Sequence, residues 1–207
     1  MRVEGLFPVP VGMEFFDRNL TKNEMLCLKE LEMCENQGNK VSKNSYILNL
    51  PQLKNVKKQL DNCLNMYFKN IVCPPDGVEV YITQSWLNTT NSNEHHHMHK
   101  HSNSYISGVF YVHAEGESDK ITFKAHDDMF SLEVENKEHN VFNSLTWWLP
   151  VHTGDILLFP SKLEHFVTTP TSKNTRVSIA FNTFLRGNLG AENRKTQLFL
   201  KGKNEPT

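Results

Sequence analysis

The apolar positions of this chain change period about a third of the way along. Between Thr21 and Val72 they recur at steps of three and four; beyond Pro74-Pro75 they fall in short runs rich in β-branched and aromatic residues. The first spacing lines one face of a helix and the second marks strands. Thr21-Lys-Asn-Glu24 is a capping-box signature, and Met25, Leu28 and Leu31 follow it, which predicts a first helix that Gly38 can stop. Leu53, Val56, Leu60, Leu64, Tyr67 and Ile71 predict a second helix, started at Pro51 and ended by Pro74-Pro75. Strands are expected over Val78–Asn88, Ile106–Val112, Lys120–Lys124, Leu145–Leu149, Asp155–Phe159 and Arg176–Phe184, separated by turns of Gly, Pro, Asn, Asp and Ser. Two helices ahead of six or more strands imply a mainly β fold, a sandwich or jelly-roll with the helices on one outer face. With 207 residues, one domain is expected: residues 1–75 as helical support, 76–187 as core and 188–207 as a tail, frayed over Lys201–Thr207.

Composition narrows the classes without naming one. Hydrophobic residues make up 38% and charged residues 22%, as in an ordinary globular protein. Lys and Arg total 22 against 23 Asp and Glu, so no positive excess exists to neutralise a phosphate backbone, and no nucleic-acid partner is expected. The start, MRVEGLFPVPVGMEFF, carries an early acid and two prolines where a signal peptide needs an unbroken apolar run. No run approaches the ~18 apolar residues that span a bilayer, so a cytoplasmic protein without membrane contact is expected. The four cysteines form no CxxC pair; Cys27 and Cys34 lie two helical turns apart, and reduced, buried thiols are expected. Asn19-Leu-Thr21 and Asn88-Thr-Thr90 match the glycosylation pattern, which means nothing without export. GxSxG, P-loop, GxGxxG and kinase signatures are missing.

Chemistry concentrates in one segment. Five of the ten histidines fall between 95 and 101, and a strand's period of two puts His97, His99 and His101 on one side, where imidazoles can share a metal. A solvated His-rich loop reads equally well from this segment alone, whereas its mid-chain place and its interruption by Met98 and Lys100 argue against a tag. Downstream come Gly154-Asp-Ile-Leu-Leu-Phe159-Pro-Ser161, then His165, then Arg176-Val-Ser178-Ile-Ala-Phe-Asn182. A paired-His strand, SGVFYV, GDILLFP with a histidine just beyond, and RxS on the next strand together resemble the Fe(II)- and 2-oxoglutarate-dependent oxygenase superfamily. More narrowly, the chain is similar to a branch of 2OG-Fe(II) oxygenases also found in bacteriophage genomes, with HxHxxSxxSGVxYV and LFPxxxxH in that order. The resemblance spans Val78 to Phe184, about half the chain.

That resemblance implies a double-stranded β-helix (jelly-roll, cupin-like) core, Fe(II), and 2-oxoglutarate and O2 as cosubstrates. It implies His99, His101 and His165 as iron ligands in a facial triad with three open positions, His97 being the reserve. The family's usual second ligand is Asp or Glu, whereas position 101 is His; an all-imidazole site adds no negative charge, so it holds metal less tightly and suits a dianion. Asp127 or Asp128 is the alternative carboxylate, read as a surface turn residue. Arg176 can pair bidentately with the distal carboxylate of 2-oxoglutarate, with Ser178 and Asn182 on the same side by period and Tyr111 aligned with a strand tyrosine that holds the same group. An isolated RxS is as readily a surface ion pair, and Tyr111 as readily a core residue. Asn88 and Trp148 are candidates for the substrate pocket or its rim. The implied reaction couples decarboxylation of 2-oxoglutarate to oxidation, most simply hydroxylation, of a small-molecule or peptide substrate, in a host cytoplasm if the gene is phage-borne. The rivals are a cupin-like module that binds metal or a small carboxylate without turnover, and a three-His dioxygenase that uses no 2-oxoglutarate.

Overall fold

The computed structural model describes residues 1–125, 132, 134–169 and 173–201. Its elements run β1 (Gly12–Phe15), α1 (Lys22–Lys29), β2 (Met33–Glu35), β3 (Lys40–Ser42), α2 (Lys54–Tyr67), β4 (Glu79–Thr90), β5 (His96–His99), β6 (Ile106–His113), β7 (Glu115–Lys124), β8 (Thr146–His152), β9 (Asp155–Pro160), β10 (His165–Val167), β11 (Arg176–Leu189) and β12 (Leu198–Leu200). Among the described residues the strands make two sheets. The main one has the order β1-β9-β6-β11-β4-β3-β2, with β12 on the far half of β11, and the minor one has the order β5-β10-β7-β8. The pairs are antiparallel. The fold is a jelly-roll with helices on the outer face of its main sheet.

Strand β6 is buried at six consecutive positions, which requires both faces of its sheet to be covered. Alternate residues of β11 show how. Ile179 and Phe181 join a core with Leu28, Val56, Leu60 and Leu64 of the two helices. Arg176, Ser178, Ala180 and Asn182 point the other way, between the sheets, where Tyr111, Leu157, Phe159, Ile121 and Phe123 form a second core. Gly108 of SGVFYV sits opposite Phe181 in the ladder, and a Cβ there would lie 2.0 Å from its ring.

The capping box closes as expected: Glu24 N–H donates to Thr21 Oγ1 and Thr21 N–H to the Glu24 carboxylate. Helix α1 stops sooner than its apolar series suggested. The chain turns at once into the β2–β3 hairpin, with Gly38 at φ +96° in its turn, so Cys34 lies in a strand rather than two turns along a helix. The cysteines are free, but only Cys63 is buried and Cys73 is exposed. Residues 198–200, expected in a tail, pair with β11 instead. Asp127 and Asp128 lie outside the described residues, as do residues 202–207. No described helix is long and apolar enough to cross a membrane.

Candidate metal centre

Strand β10 lies between β5 and β7, which sets His165 opposite His99 on one side and Phe123 on the other. The ring of His165 lies 4.4 Å from that of His99 and 5.1 Å from that of His101. One ring nitrogen from each of the three lies within 4.8 Å of the others. Their second nitrogens are all occupied. Nδ1 of His99 is 2.8 Å from the His97 carbonyl, Nδ1 of His165 is 3.0 Å from the Leu163 carbonyl, and Nδ1 of His101 bonds to Asn182 Oδ1 with Ser107 Oγ at 3.1 Å. A carbonyl oxygen only accepts, so each Nδ1 carries the proton and each Nε2 keeps its lone pair. Burial also holds the rings neutral, pushing His99 down to about 4 and His165 to about 3, and lowering His101. Three neutral imidazoles in one tautomer, each oriented by a hydrogen bond behind it, are a donor set that fits a divalent transition metal such as iron.

The period-two expectation for the histidine segment is corrected by a β-bulge. Against His165 and Val167 of β10 stand His99 and His96 of β5, three residues spanning two. His96 therefore shares the inner face with His99, its ring stacked at 4.4 Å and 26°. His97 turns to the β2–β3 hairpin instead, its Nδ1 3.3 Å from the Gln37 carbonyl.

From the triad the inner faces of β4 and β11 run to a closed end. Gln84, Trp86, Asn88 and Thr90 pair in turn with Asn182, Ala180, Ser178 and Arg176. At one end Gln84 is exposed and the Trp86 ring lies 5.6 Å from His101. At the other, Arg176, Thr90 and Tyr111 are all buried. The Arg176 guanidinium makes only long hydrogen bonds, 3.5 Å to the Lys120 carbonyl and 3.4 Å to Thr90 Oγ1, and forms no ion pair among the described residues. Burial lowers its pKa, while Tyr111 and the buried Asp119 act to raise it. Burial pushes the Tyr111 phenol up to about 12, against the pull of Arg176. Asn88 Oδ1 is buried without a hydrogen-bond partner. A polar cradle containing a cation and two unanswered acceptors, Asn88 Oδ1 and Asp119 Oδ1, thus extends from a metal-competent triad.

Residues 84–182 match the model of a family described as "Putative 2OG-Fe(II) oxygenase". The match spans just under half of the chain and takes in His99, His101, His165, Arg176 and Asn182. Solved structures carry the same fold at low identity. An oxidoreductase of the 2OG-Fe(II) oxygenase family from Burkholderia pseudomallei aligns with a TM-score of 0.55 at 13% identity, covering 77% of this chain and 74% of that one. HygX from Streptomyces hygroscopicus, with nickel, 2-oxoglutarate and hygromycin B bound, aligns at 0.60 and 11%, covering 84% and 82%. SnoK, a non-haem α-ketoglutarate-dependent carbocyclase from nogalamycin biosynthesis, aligns at 0.57 and 12%, covering 93% and 90%. No curated protein sequence matches.

The sequence-predicted residues are distributed as follows. His99, His101 and His165 come together; Arg176, Ser178, Tyr111 and Asn88 share the inner face of the main sheet. Asn182 lies on that face too, but its side chain holds His101. Trp148 is turned away. It shares a row with Thr122 and Phe166, whereas the row of His99, His165 and Phe123 ends at Trp147, and its exposed ring lies under Lys120 Nζ at 3.7 Å. His96, Asp119, Trp86 and Ser107 join the site without a signal in the sequence pattern. Asp119 lies, like His96, where strand register shifts, a feature that leaves no mark in residue spacing.

Proposed function

We propose that this protein is an oxygenase that holds Fe(II) through His99, His101 and His165, binds 2-oxoglutarate with its distal carboxylate on Arg176, and oxidises a second substrate, most simply by hydroxylation. Bound there, the metal supplies the redox chemistry by which 2-oxoglutarate, O2 and a C–H bond yield succinate, CO2 and an alcohol. The observation that carries the reading is the buried Arg176 guanidinium, without a carboxylate bonded to it, at the closed end of a cradle that begins at three metal-competent imidazoles. A buried cation with such long hydrogen bonds calls for an anion.

The remaining residues divide the work. Ser178 and Tyr111 flank Arg176 and can add hydroxyl donors to the same carboxylate, while the unpaired Asn88 Oδ1 can accept from a donor beside it. Among the described residues the cradle sets four imidazoles and a guanidinium against the buried carboxylate of Asp119, so it favours a dianion over a neutral ligand. The substrate approaches from the Gln84 end, past Trp86. HygX binding nickel and 2-oxoglutarate on the same fold supports the assignment.

Anaerobic titration of Fe(II) with and without 2-oxoglutarate tests it, because chelation by a keto acid gives a visible charge-transfer band. Arg176→Ala should leave iron content unchanged and raise the 2-oxoglutarate concentration needed for succinate formation steeply, since losing a buried charged partner costs ~2–5 kcal/mol. Iron binding without a band would favour a three-His dioxygenase independent of 2-oxoglutarate. Iron binding without a band or any turnover would favour a metal-binding module.

A further inference from the structure

Among the described residues, His96 is an imidazole paired onto the inner face of this site that the triad does not use. The bulge in β5 brings it there: it pairs with Val167, on the inner face with His165, where an unbulged strand would have presented His97. A bulge interrupts a ladder and re-aims a side chain, and such features concentrate beside active sites. The ring of His96 is stacked on that of His99 but stands outside the set of mutually close ligand atoms, so it adjoins the metal position without completing it.

Its hydrogen bonding sets it apart. His97, His99, His101 and His165 each have a ring nitrogen bonded to the protein, whereas neither nitrogen of His96 has a partner among the described residues. A half-buried imidazole leaves its N–H unanswered at a cost unless something else accepts it. His96 also follows the end of β4 by six residues, and the last residue of β4, Thr90, is the one that bonds Arg176. The guanidinium lies within electrostatic reach of the His96 ring. His96 thus adjoins the metal end of the cradle, on the side from which β4 leads to Arg176.

We propose that His96 is a cosubstrate-binding residue, donating its free N–H to the dicarboxylate that spans from the His99-His101-His165 triad to Arg176. This role rests on the 2-oxoglutarate reading above and adds a contact to it. Imidazole stacking on His99 fixes the ring plane, and the bulge fixes the depth, so the donor is in place before the ligand arrives.

The full-length protein, loaded anaerobically with Fe(II), provides the test. In His96→Leu, iron binding measured by competition with a chromogenic chelator should match the parent, because His96 stands outside the set of ligand atoms. The Kd for 2-oxoglutarate, read from the charge-transfer band, should rise on the order of tenfold, one lost hydrogen bond to a charged group. In His96→Gln, which keeps an N–H, most of that loss should be recovered. Parent-like 2-oxoglutarate titration of His96→Leu would overturn the inference while leaving the cosubstrate reading standing. Loss of iron in both variants would also overturn it, by making His96 a support for the triad. A parent that binds iron but shows no band with 2-oxoglutarate would overturn the cosubstrate reading, and the role of His96 with it.

Discussion

Each residue of the triad is defined by what stands behind it. His165 is anchored by its own chain, through the Leu163 carbonyl, and His99 likewise through His97, but His101 is held across the sandwich by Asn182 and Ser107 of the main sheet. Replacing His165 with Ala should abolish stoichiometric iron binding, measured by metal analysis, with the circular dichroism of the fold retained. Asn182→Leu should leave all three ligands present and yet weaken metal affinity about 10–100-fold, because His101 loses the acceptor that fixes its tautomer; chelator competition measures it, and unchanged affinity would remove Asn182 from the site. At this scale the sequence was legible where spacing survives folding. His99 and His101 stand two apart, and His165, Arg176 and Ser178 follow at strand-end positions that a jelly-roll converges. It was illegible where the backbone gains a residue. The bulge shifts the phase of β5 by one, which exchanges His97 for His96, and no residue type announces it.

Local chemistry decided the elements wherever it was strong. The Thr21–Glu24 capping box started α1 at the expected residue, and the stripe Val56, Leu60, Leu64 and Tyr67 formed the buried face of α2. The six longer strands formed at the expected places, and most extend past the expected run at one end, because ladder hydrogen bonds continue past the apolar run that signals a strand. The three-residue β2, β3, β10 and β12 carry too little pattern to be read, and β3 and β10 pair with strands distant in sequence. Glu24 makes the element scale testable. Its carboxylate bonds both Arg18 and the Thr21 N–H from a buried position, and the Arg18 bond chiefly holds its pKa below the ordinary 4.5. A folded-state pKa lowered in this way contributes stability above pH 4.5, lost as the pH falls through the folded value. Glu24→Gln should therefore cost about 1–3 kcal/mol at neutral pH, with the gap to the parent closing on acidification; urea melts at pH 7 and below pH 4 compare the two.

At the scale of the molecule, a main sheet covered on both faces separates two cores with different tasks, the helix side for support and the inter-sheet side for chemistry. That division is why the N-terminal third reads as helices and the rest as strands. A metal held by His99 and His165 of the minor sheet and by His101, itself tied to Asn182 of the main sheet, would link the two layers. Metal should thus stabilise the fold, by about 2.7 kcal/mol at a hundredfold excess over Kd; a chelator should lower the thermal midpoint of the parent and leave that of His165→Ala where it was. The two cores also grade the rate at which backbone amides trade hydrogen for deuterium. Those of β6 and β11, laddered on both sides and sealed above and below, belong to the slowest class and open only with the whole protein. Those of β5 and β8, at the margins of a sheet with one core beneath it, belong to the fastest, so the ligand-bearing edge can breathe while the helix-side core stays shut. Metal uptake should slow exchange in β5 and β10 and leave the first residues of β4, Glu79 to Tyr81, at their original rate.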